Sequence, residues 1–318
     1  MSKHLILGAG SAGRSIAEHL QAAGEEVVIA SRSGRRGLDG AQRLALDVTD
    51  TAALTAAAAG MTTIVNALNP PQYYRWQRDW PPMATAIRSA ARATGVDVIS
   101  VGNLYPYGPV TAPMTETTPE HPNGAKGQVR ARMWADLLAD HTAGHYRATE
   151  LRASDYTGEN GDSAIINTLV VKAVAQGRRA MFPGGRADAP HSWTDMTDLG
   201  RLAAAVITQG RDDDWGRLWH VPTAAPRSLR QLADDVAALA GTAPARLIVL
   251  PAVARQAMGL VAPTVWALRE TAHQFETPFV IDSTAAQARF DLAPTPWEQT
   301  LRSAIAVVAP EVSLRPAA

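Results

Sequence analysis

The sequence has no cysteine, which excludes disulfides, thiolate nucleophiles and cysteine-ligated metal centres. An H-E-x-x-H pattern is missing as well, and no carboxylate–histidine cluster replaces it, so no metal is expected. Net charge is also absent, since 30 Lys and Arg balance 30 Asp and Glu. That balance argues against nucleic acid or an anionic membrane as the main partner, because both require a basic surface. Lysine occurs only at Lys3, Lys126 and Lys172, and arginine, which suits phosphate recognition, supplies the remaining positive charge. Long apolar runs are lacking: the apolar stretch from Gln256 to Leu268 contains Gly259 and Pro263 and falls short of a bilayer span. The apolar run after Lys3 ends in glycines and is too short for a signal peptide. The expectation is a soluble cytoplasmic protein whose 318 residues make one large α/β domain or two sharing a core.

What the chain does contain is a strand–helix alternation. Strands are predicted at His4–Leu7, Val27–Ala30, Leu44–Asp47, Thr62–Ala67 and Val96–Val101. Between them lie helices at Ala12–Ala23, with Ile16 and Leu20 inward, at Thr51–Ala59, and at Pro82–Thr94, closed by Gly95. Gly102 to Gly127 is rich in Pro, Gly, Thr and Asn without periodicity and reads as a long functional loop. A helix at Val129–Asp140, a strand at Thr149–Ala153 and a helix at Ala164–Gln176 follow. The second half has short strands at Ala180–Phe182, Leu218–Val221, Arg246–Leu250 and Phe279–Ile281. Its helices are predicted at Met196–Gln209, Leu229–Ala240 and Ala252–Thr271, and Ser228 with Gln231 has capping-box spacing. The pattern predicts an α/β protein with a Rossmann-type doubly wound parallel sheet and a smaller, interleaved C-terminal substrate domain. Residues 1–176 would form the dinucleotide-binding domain, with 191–221 returning to it, and 177–190 with 222–318 would mainly bind substrate.

Gly8, Gly10 and Gly13 form G-x-G-x-x-G between the first strand and first helix. The first glycine permits the tight turn, the second lets backbone approach a pyrophosphate, and the third allows helix and strand to pack closely. Ser11 and Ala12 open the helix, whose N-terminus supplies positive potential. The second strand ends Ala30-Ser31-Arg32-Ser33, followed by Arg35 and Arg36. A carboxylate there would repel a 2′-phosphate, whereas serine and arginines bind one, so NADP(H) is favoured over NAD; a solvated arginine cluster is the alternative. Asp47 and Val48 follow the third strand, where an aspartate commonly meets the adenine amino group, and Asn66 and Ala67 end the fourth beside the second ribose. Both pairs read equally as turn-formers or strand caps.

These residues together resemble the short-chain dehydrogenase/reductase superfamily, in particular its extended and atypical members of the NAD-dependent epimerase/dehydratase type. Asn66-Ala67-Leu68-Asn69-Pro70-Pro71 resembles their loop after the fourth strand, and Tyr107-Gly108 with Thr115-Glu116-Thr117-Thr118-Pro119 resembles their "YG … E-x-T-P" segment. Leu151-Arg152-Ala153-Ser154-Asp155-Tyr156-Thr157-Gly158 is similar to "LRxxNxYG". His191 to Asp198 falls where the family has a substrate-facing strand leading into an Asp-capped helix. Asp282-Ser283, Phe290-Asp291-Leu292 and Pro296-Trp297 resemble the C-terminal signature "DxSKAxxxLGxxPxxxL".

The family's Tyr-x-x-x-Lys pair is missing: Pro122 and Thr168 stand four residues before Lys126 and Lys172. In the resemblance Lys126 takes the tyrosine position, Arg130 the lysine position and Asn103 the place of the catalytic Ser or Thr. Lys126 is therefore one acid/base candidate, with its pKa depressed by burial beside an oxidised nicotinamide and Arg130, and a solvated loop lysine is the alternative. Tyr105, on the loop leaving the fifth strand, is the second candidate. Asn69, Tyr73, Tyr74, Trp76, Tyr156, His191 and Trp193 are candidates for the substrate pocket, with core packing as the alternative. The resemblance implies an NADP(H)-binding enzyme acting by hydride transfer on a small polar or polyketide-like molecule, as an oxidoreductase or epimerase. The alternatives are a non-catalytic NADP sensor and a redox-neutral cyclase or dehydratase. It also implies a homodimer through Val129–Asp140 and Ala164–Gln176, the latter carrying the apolar set Ile165, Leu169, Val170 and Val174.

Overall fold

A computed structural model describes residues 2–35, 37–70, 72–161, 164–251 and 269–316. The first half runs β1 (Lys3–Leu7), α1 (Ser11–Ala22), β2 (Glu26–Ser31), β3 (Gln42–Ala45), α2 (Thr51–Ala58), β4 (Thr63–Asn66), α3 (Trp76–Thr94), β5 (Asp97–Asn103), α4 (Ala125–Thr142) and β6 (Ala148–Ala153). It continues through β7 (Asp155–Thr157), α5 (Lys172–Ala175), β8 (Ala180–Phe182), β9 (Trp193–Asp195), α6 (Met196–Gln209), β10 (Leu218–His220), α7 (Leu229–Ala240) and β11 (Leu247–Val249). The last described helices are α8 (His273–Glu276), α9 (Thr284–Phe290) and α10 (Trp297–Val308).

A seven-stranded sheet has the order β10-β6-β5-β4-β1-β2-β3, and its pairings are parallel, with Leu5 of β1 between Val28 of β2 and Ile64 of β4. Parallel strands are covered on both faces, so their sequences are continuous apolar runs whose alternate residues serve two cores. Ile6, Ile29, Val65 and Ile99 pack with Ile16 and Leu20 of α1 and Leu199, Leu202 and Val206 of α6. Leu5, Leu7, Val28 and Val98 point the other way, onto Leu54 of α2, Ile87 of α3 and Trp134 and Leu137 of α4. β10 hydrogen-bonds along β6, so the chain re-enters this sheet late in the sequence. A third core joins Val170, Val174, Phe182, Trp193, Leu232, Val236, Leu301 and Ile305. No helix among the described residues is long and apolar enough to cross a membrane.

Helix α7 matches its sequence limits, with the capping box closed by Ser228 Oγ accepting from the Gln231 amide and Gln231 Oε1 from the Ser228 amide. Other elements differ. α3 starts at Trp76, not Pro82, and carries Pro81 and Pro82 inside it. Trp76 and Trp80, one turn apart, bury together with Met133, and that packing offsets the missing proline donors. α4 starts at Ala125, so Lys126 is a buried first-turn residue and not a loop lysine. Gly127 makes this entry possible, because a Cβ there would stand 2.6 Å from the Tyr105 carbonyl oxygen. The predicted 164–176 helix contains a π-helical stretch, Asn167–Val171, before α5. There the buried Asn167 amide donates to the Gly158 and Gly161 carbonyls, while its oxygen accepts from the Thr157 hydroxyl. Of this segment's apolar set, Val170 and Val174 enter the core, whereas Ile165 and Leu169 stay exposed. The Phe279–Ile281 strand is reduced to isolated bridges with His191 and Met114. Residues 252–268 of the last predicted helix, Arg36 and Pro71 lie outside the described residues.

His220 of β10 links the sheet to the segments around it. Its Nδ1–H donates to the Asp282 carbonyl at 2.8 Å, and its Nε2 accepts from the Tyr107 hydroxyl at 2.7 Å. Burial pushes the imidazolium down to about 4, against the opposing bond to Asp282. The unfolded chain therefore takes up this proton near pH 6.5 while the folded chain does not, so stability declines as pH falls from there toward 4. The contribution at stake is about 3 kcal/mol. Urea unfolding at pH 7 and 4.5 should show a steeper loss for the parent protein than for His220→Gln, and parallel losses would contradict this.

Candidate functional site

A cleft of about 970 Å³ opens at the carboxyl ends of β1, β2, β4, β5 and β6, where parallel α/β sheets place their ligands. One end is the glycine turn. Gly8 has φ +112°, and a Cβ there would lie 2.7 Å from the Ala67 carbonyl oxygen. At Gly13 a Cβ would lie 1.9 Å from the Gly8 carbonyl oxygen, so α1 sits directly on the turn and Gly13 itself is behind the cleft wall. At Gly10 a Cβ would meet nothing within 4 Å and would project into the cleft. Ser11 and Ala12 line the cleft beside it, and the first turn of α1 carries no acidic residue. Gly8 and Gly13 thus meet the tight turn and close packing their spacing suggests, and the helix N-terminus is open to an anion.

Ser31, Arg32 and Ser33 line the same end, and Ala67, Leu68 and Asn69 follow along the floor. Asn66 is buried beneath, its side-chain oxygen accepting from the Leu68 amide and its amide reaching Ser100 Oγ at 3.5 Å. Three sequence candidates are placed elsewhere. Arg35 is not in the cleft wall; its amide donates to Ser33 Oγ. The Asp47 carboxylate accepts from the Thr49 amide and hydroxyl, bonds that lower its pKa, so it is a turn-former at the exposed end of β3. Val48 is buried in the core under α2.

Asn103, Tyr105 and Arg130 converge on the other end. Asn103 Oδ1 accepts from the Tyr105 amide at 3.2 Å, which orients the turn. The Tyr73 hydroxyl donates to the Tyr105 hydroxyl at 2.7 Å. Burial raises the pKa of Tyr105, reinforced by Tyr73 and Asp155 and opposed by Arg130, so this phenol is protonated at neutral pH. Burial likewise raises Tyr73 and Tyr156. The Arg130 guanidinium donates through Nη2 to the Val101 carbonyl and lies 5.0 Å from the Trp80 ring centroid.

Lys126 is turned away from this cleft. Its ammonium is 3.0 Å from Glu270 Oε2 and 4.8 Å from the Tyr73 ring centroid, and its amide donates to Glu270 Oε1. It lines a second cavity of about 440 Å³ with Tyr73, Gln77, Asn123 and Glu270. Glu270 thus takes both the free amide of the α4 N-terminus and the lysine charge.

Of the substrate candidates, Asn69, Tyr73 and Tyr156 line the main cleft. His191 and Trp193 do not; both are buried behind its wall. His191 Nε2 lies 2.9 Å from Asp155 Oδ2, its Nδ1–H donates to the Gln274 carbonyl at 3.0 Å, and its ring stacks on Phe275 with centroids 4.8 Å apart. Trp193 Nε1 donates to the Arg227 carbonyl. His191 therefore holds Asp155, and Asp155 is the residue that reaches the cleft.

Sequence reasoning missed Asp155, Trp80, Gln274 and Phe279 as cleft residues, whereas Trp76, in the aromatic run after Pro70-Pro71, lines the cleft with Tyr73. Asp155 stands at the asparagine of the "LRxxNxYG" pattern and could have been found there. Pro81-Pro82 hid Trp80 by suggesting a later helix start.

The cleft fits a dinucleotide by a second observation besides the open space at Gly10. Ser31, Arg130, Ser154 and Tyr156 line it, and their Oγ, Nε, Oγ and OH atoms are buried with no hydrogen-bond partner among the described residues. Buried polar groups are otherwise almost always paired, so a wall that carries several unpaired ones is unusual. Among the described residues no group of His, Asp and Glu is placed to hold a metal ion.

Solved structures share the whole architecture. A dTDP-glucose 4,6-dehydratase from Bacillus anthracis in complex with NAD superposes with TM-score 0.77 at 14% identity, over 96% of each chain. UDP-glucose 4-epimerase from Thermotoga maritima with UDP-glucose gives 0.78 at 13% identity, over 97% of this chain and 99% of that one. UDP-glucuronic acid 4-epimerase from Bacillus cereus, in complex with UDP-glucuronic acid and NAD, gives 0.78 at 14%, again over 97% and 99%. No curated protein sequence matches this chain. The family model for NAD dependent epimerases and dehydratases matches residues 4–221, which contain the glycine turn, the strand ends of the cleft and the Asp155 segment. The chain belongs to the NAD dependent epimerase/dehydratase family.

Proposed function

We propose that the protein is an NADP(H)-dependent oxidoreductase or epimerase of a small molecule. The observation that carries the cofactor preference is the end of β2, where Ser31, Arg32 and Ser33 face the cleft. No carboxylate among the described residues lines that end. A ribose bearing a 2′-phosphate finds hydroxyls and a guanidinium there, and a plain ribose finds no acidic acceptor. Gly8, Gly10, Ser11 and Ala12 would hold the pyrophosphate, and Ala67, Asn103 and Arg130 lie toward the nicotinamide end. Bound there, the nicotinamide supplies or accepts hydride. Arg32→Asp is expected to weaken NADPH binding by about a hundredfold and to leave NADH binding unchanged or tighter. Equal NADPH affinity in the variant, measured by fluorescence titration, would remove Arg32 from the site.

Tyr105 is the acid in this reading. Its protonated phenol donates to the developing substrate oxygen, and Tyr73, hydrogen-bonded behind it, returns the proton. NADPH oxidation in the presence of a panel of small carbonyl compounds should fall by about a hundredfold or more in Tyr105→Phe, with cofactor affinity unchanged. The retreat of Lys126 to Glu270 favours a second reading, a dinucleotide sensor or redox-neutral enzyme on the same fold. That reading requires NADPH to bind without being oxidised by any member of the panel.

A further inference from the structure

The end of the cleft away from the glycine turn is walled by rings. Tyr73 and Trp76 meet edge-on at 4.9 Å, Trp76 and Trp80 at 6.0 Å, and Trp76 and Tyr105 lie tilted at 5.9 Å. Phe279 closes the opposite side and stacks on His191, which holds Asp155. Such walls fit a flat ring system, which they contact on faces and edges.

Within this wall, Trp76 Nε1, Trp80 Nε1, Gln274 Nε2 and Arg130 Nε are unpartnered among the described residues, on side chains that are each more than nine-tenths buried. All four atoms are donors only, so a ligand that satisfies them must bring acceptor oxygens. Leaving them unpaired is costly, which gives such a ligand an advantage over a purely hydrocarbon one.

Charge separates the remaining classes. His191 Nδ1 faces the Gln274 carbonyl, so it carries a proton, and Nε2 faces the Asp155 carboxylate at 2.9 Å. Arg130 is the cation at this end among the described residues, and one of its amino groups is committed to Val101. A nucleoside diphosphate would bring two negative charges beside the Asp155 carboxylate with a single guanidinium to receive them.

Resting on the NADP(H) reading above, we infer that this end of the cleft binds a flat, uncharged, oxygen-bearing aromatic, a ketone or quinone, and not a sugar nucleotide. The likeness to sugar-nucleotide enzymes then covers the fold and the cofactor end, while the substrate end has been rebuilt with rings and donors.

The test is calorimetry in two steps. NADP⁺ is titrated first, and the loaded protein then receives menadione or UDP-glucose; the chain has no cysteine for menadione to alkylate. Menadione is expected to bind at about 10–100 μM and UDP-glucose not below about 1 mM. Trp76→Phe, which keeps a ring and deletes the N–H, should weaken menadione about tenfold and leave NADP⁺ binding unchanged. Tighter binding of UDP-glucose, or no menadione binding by protein that has bound NADP⁺, overturns the inference. Failure of NADP⁺ in the first step overturns the cofactor reading instead, and menadione and UDP-glucose are then compared on the free protein with the same two outcomes.

Discussion

Gly10→Ala is expected to fold as the parent protein does and to lose dinucleotide affinity by about a hundredfold or more. Gly10 precedes α1 with φ −83°, a conformation open to alanine, and the added methyl meets no atom of the protein within 4 Å. The methyl instead occupies the space through which a pyrophosphate approaches the backbone. Gly13→Ala is expected to behave in the opposite manner. Its methyl would stand 1.9 Å from the Gly8 carbonyl oxygen, so helix α1 must lift from the turn. The interdigitation of Ile16 and Leu20 with the sheet is then lost, at a cost of about 3 kcal/mol or more. Melting curves and NADPH titrations on the two variants separate the roles. Retained affinity in Gly10→Ala would show that the open space serves no ligand, and an unchanged melting temperature in Gly13→Ala would contradict the close packing.

Arg152→Met should destabilise the protein by about 3–5 kcal/mol, because it strips the partner from a buried carboxylate. Arg152 has no exposed surface; its Nε lies 2.7 Å from Glu150 Oε2, an Nη donates to Glu120, and the guanidinium lies 4.9 Å from the Tyr107 ring centroid. Burial alone would lower its pKa, but Glu150, Tyr107 and Glu120 raise it above the usual value, so it is fully charged. Glu150 is itself buried against Gly102, where a Cβ would touch its carboxylate at 2.6 Å. Without Arg152, the buried Glu150 loses its hydrogen-bonded cation, and Glu120 no longer ties the 104–121 segment to β6. The double variant Arg152→Met, Glu150→Gln removes the stranded charge and should recover part of the loss, which distinguishes this cause from a packing defect. Urea unfolding checks both; a loss under about 1 kcal/mol in the single variant would contradict the account.

The sheet was legible because a parallel strand buried on both faces must be an apolar run, as in Leu5-Ile6-Leu7 and Val27-Val28-Ile29-Ala30. The glycine turn was legible because Gly8 and Gly13 each answer a local steric demand. The acid/base side was less so. In the resemblance Lys126 takes the position of the family tyrosine, yet its direction is set by Glu270, far along the chain, and by Gly127 lying against Tyr105. His191 was read as a pocket residue, and its contribution is indirect, through Asp155. Trp80 was hidden by prolines that tertiary packing tolerates. Each of these misses concerns a contact between segments distant in sequence, which periodicity and motif spacing do not encode.

The central claim is that the cleft above β1 and β2 is a site for NADP(H). Isothermal titration of the purified protein with NADPH and NADH, side by side at one salt concentration, tests it most directly. The account predicts one NADPH per chain at about 10 μM or tighter, with NADH at least about tenfold weaker. Tighter binding of NADH would contradict the assignment of Ser31 and Arg32 to a 2′-phosphate. Binding of neither below about 1 mM would contradict the cofactor site itself.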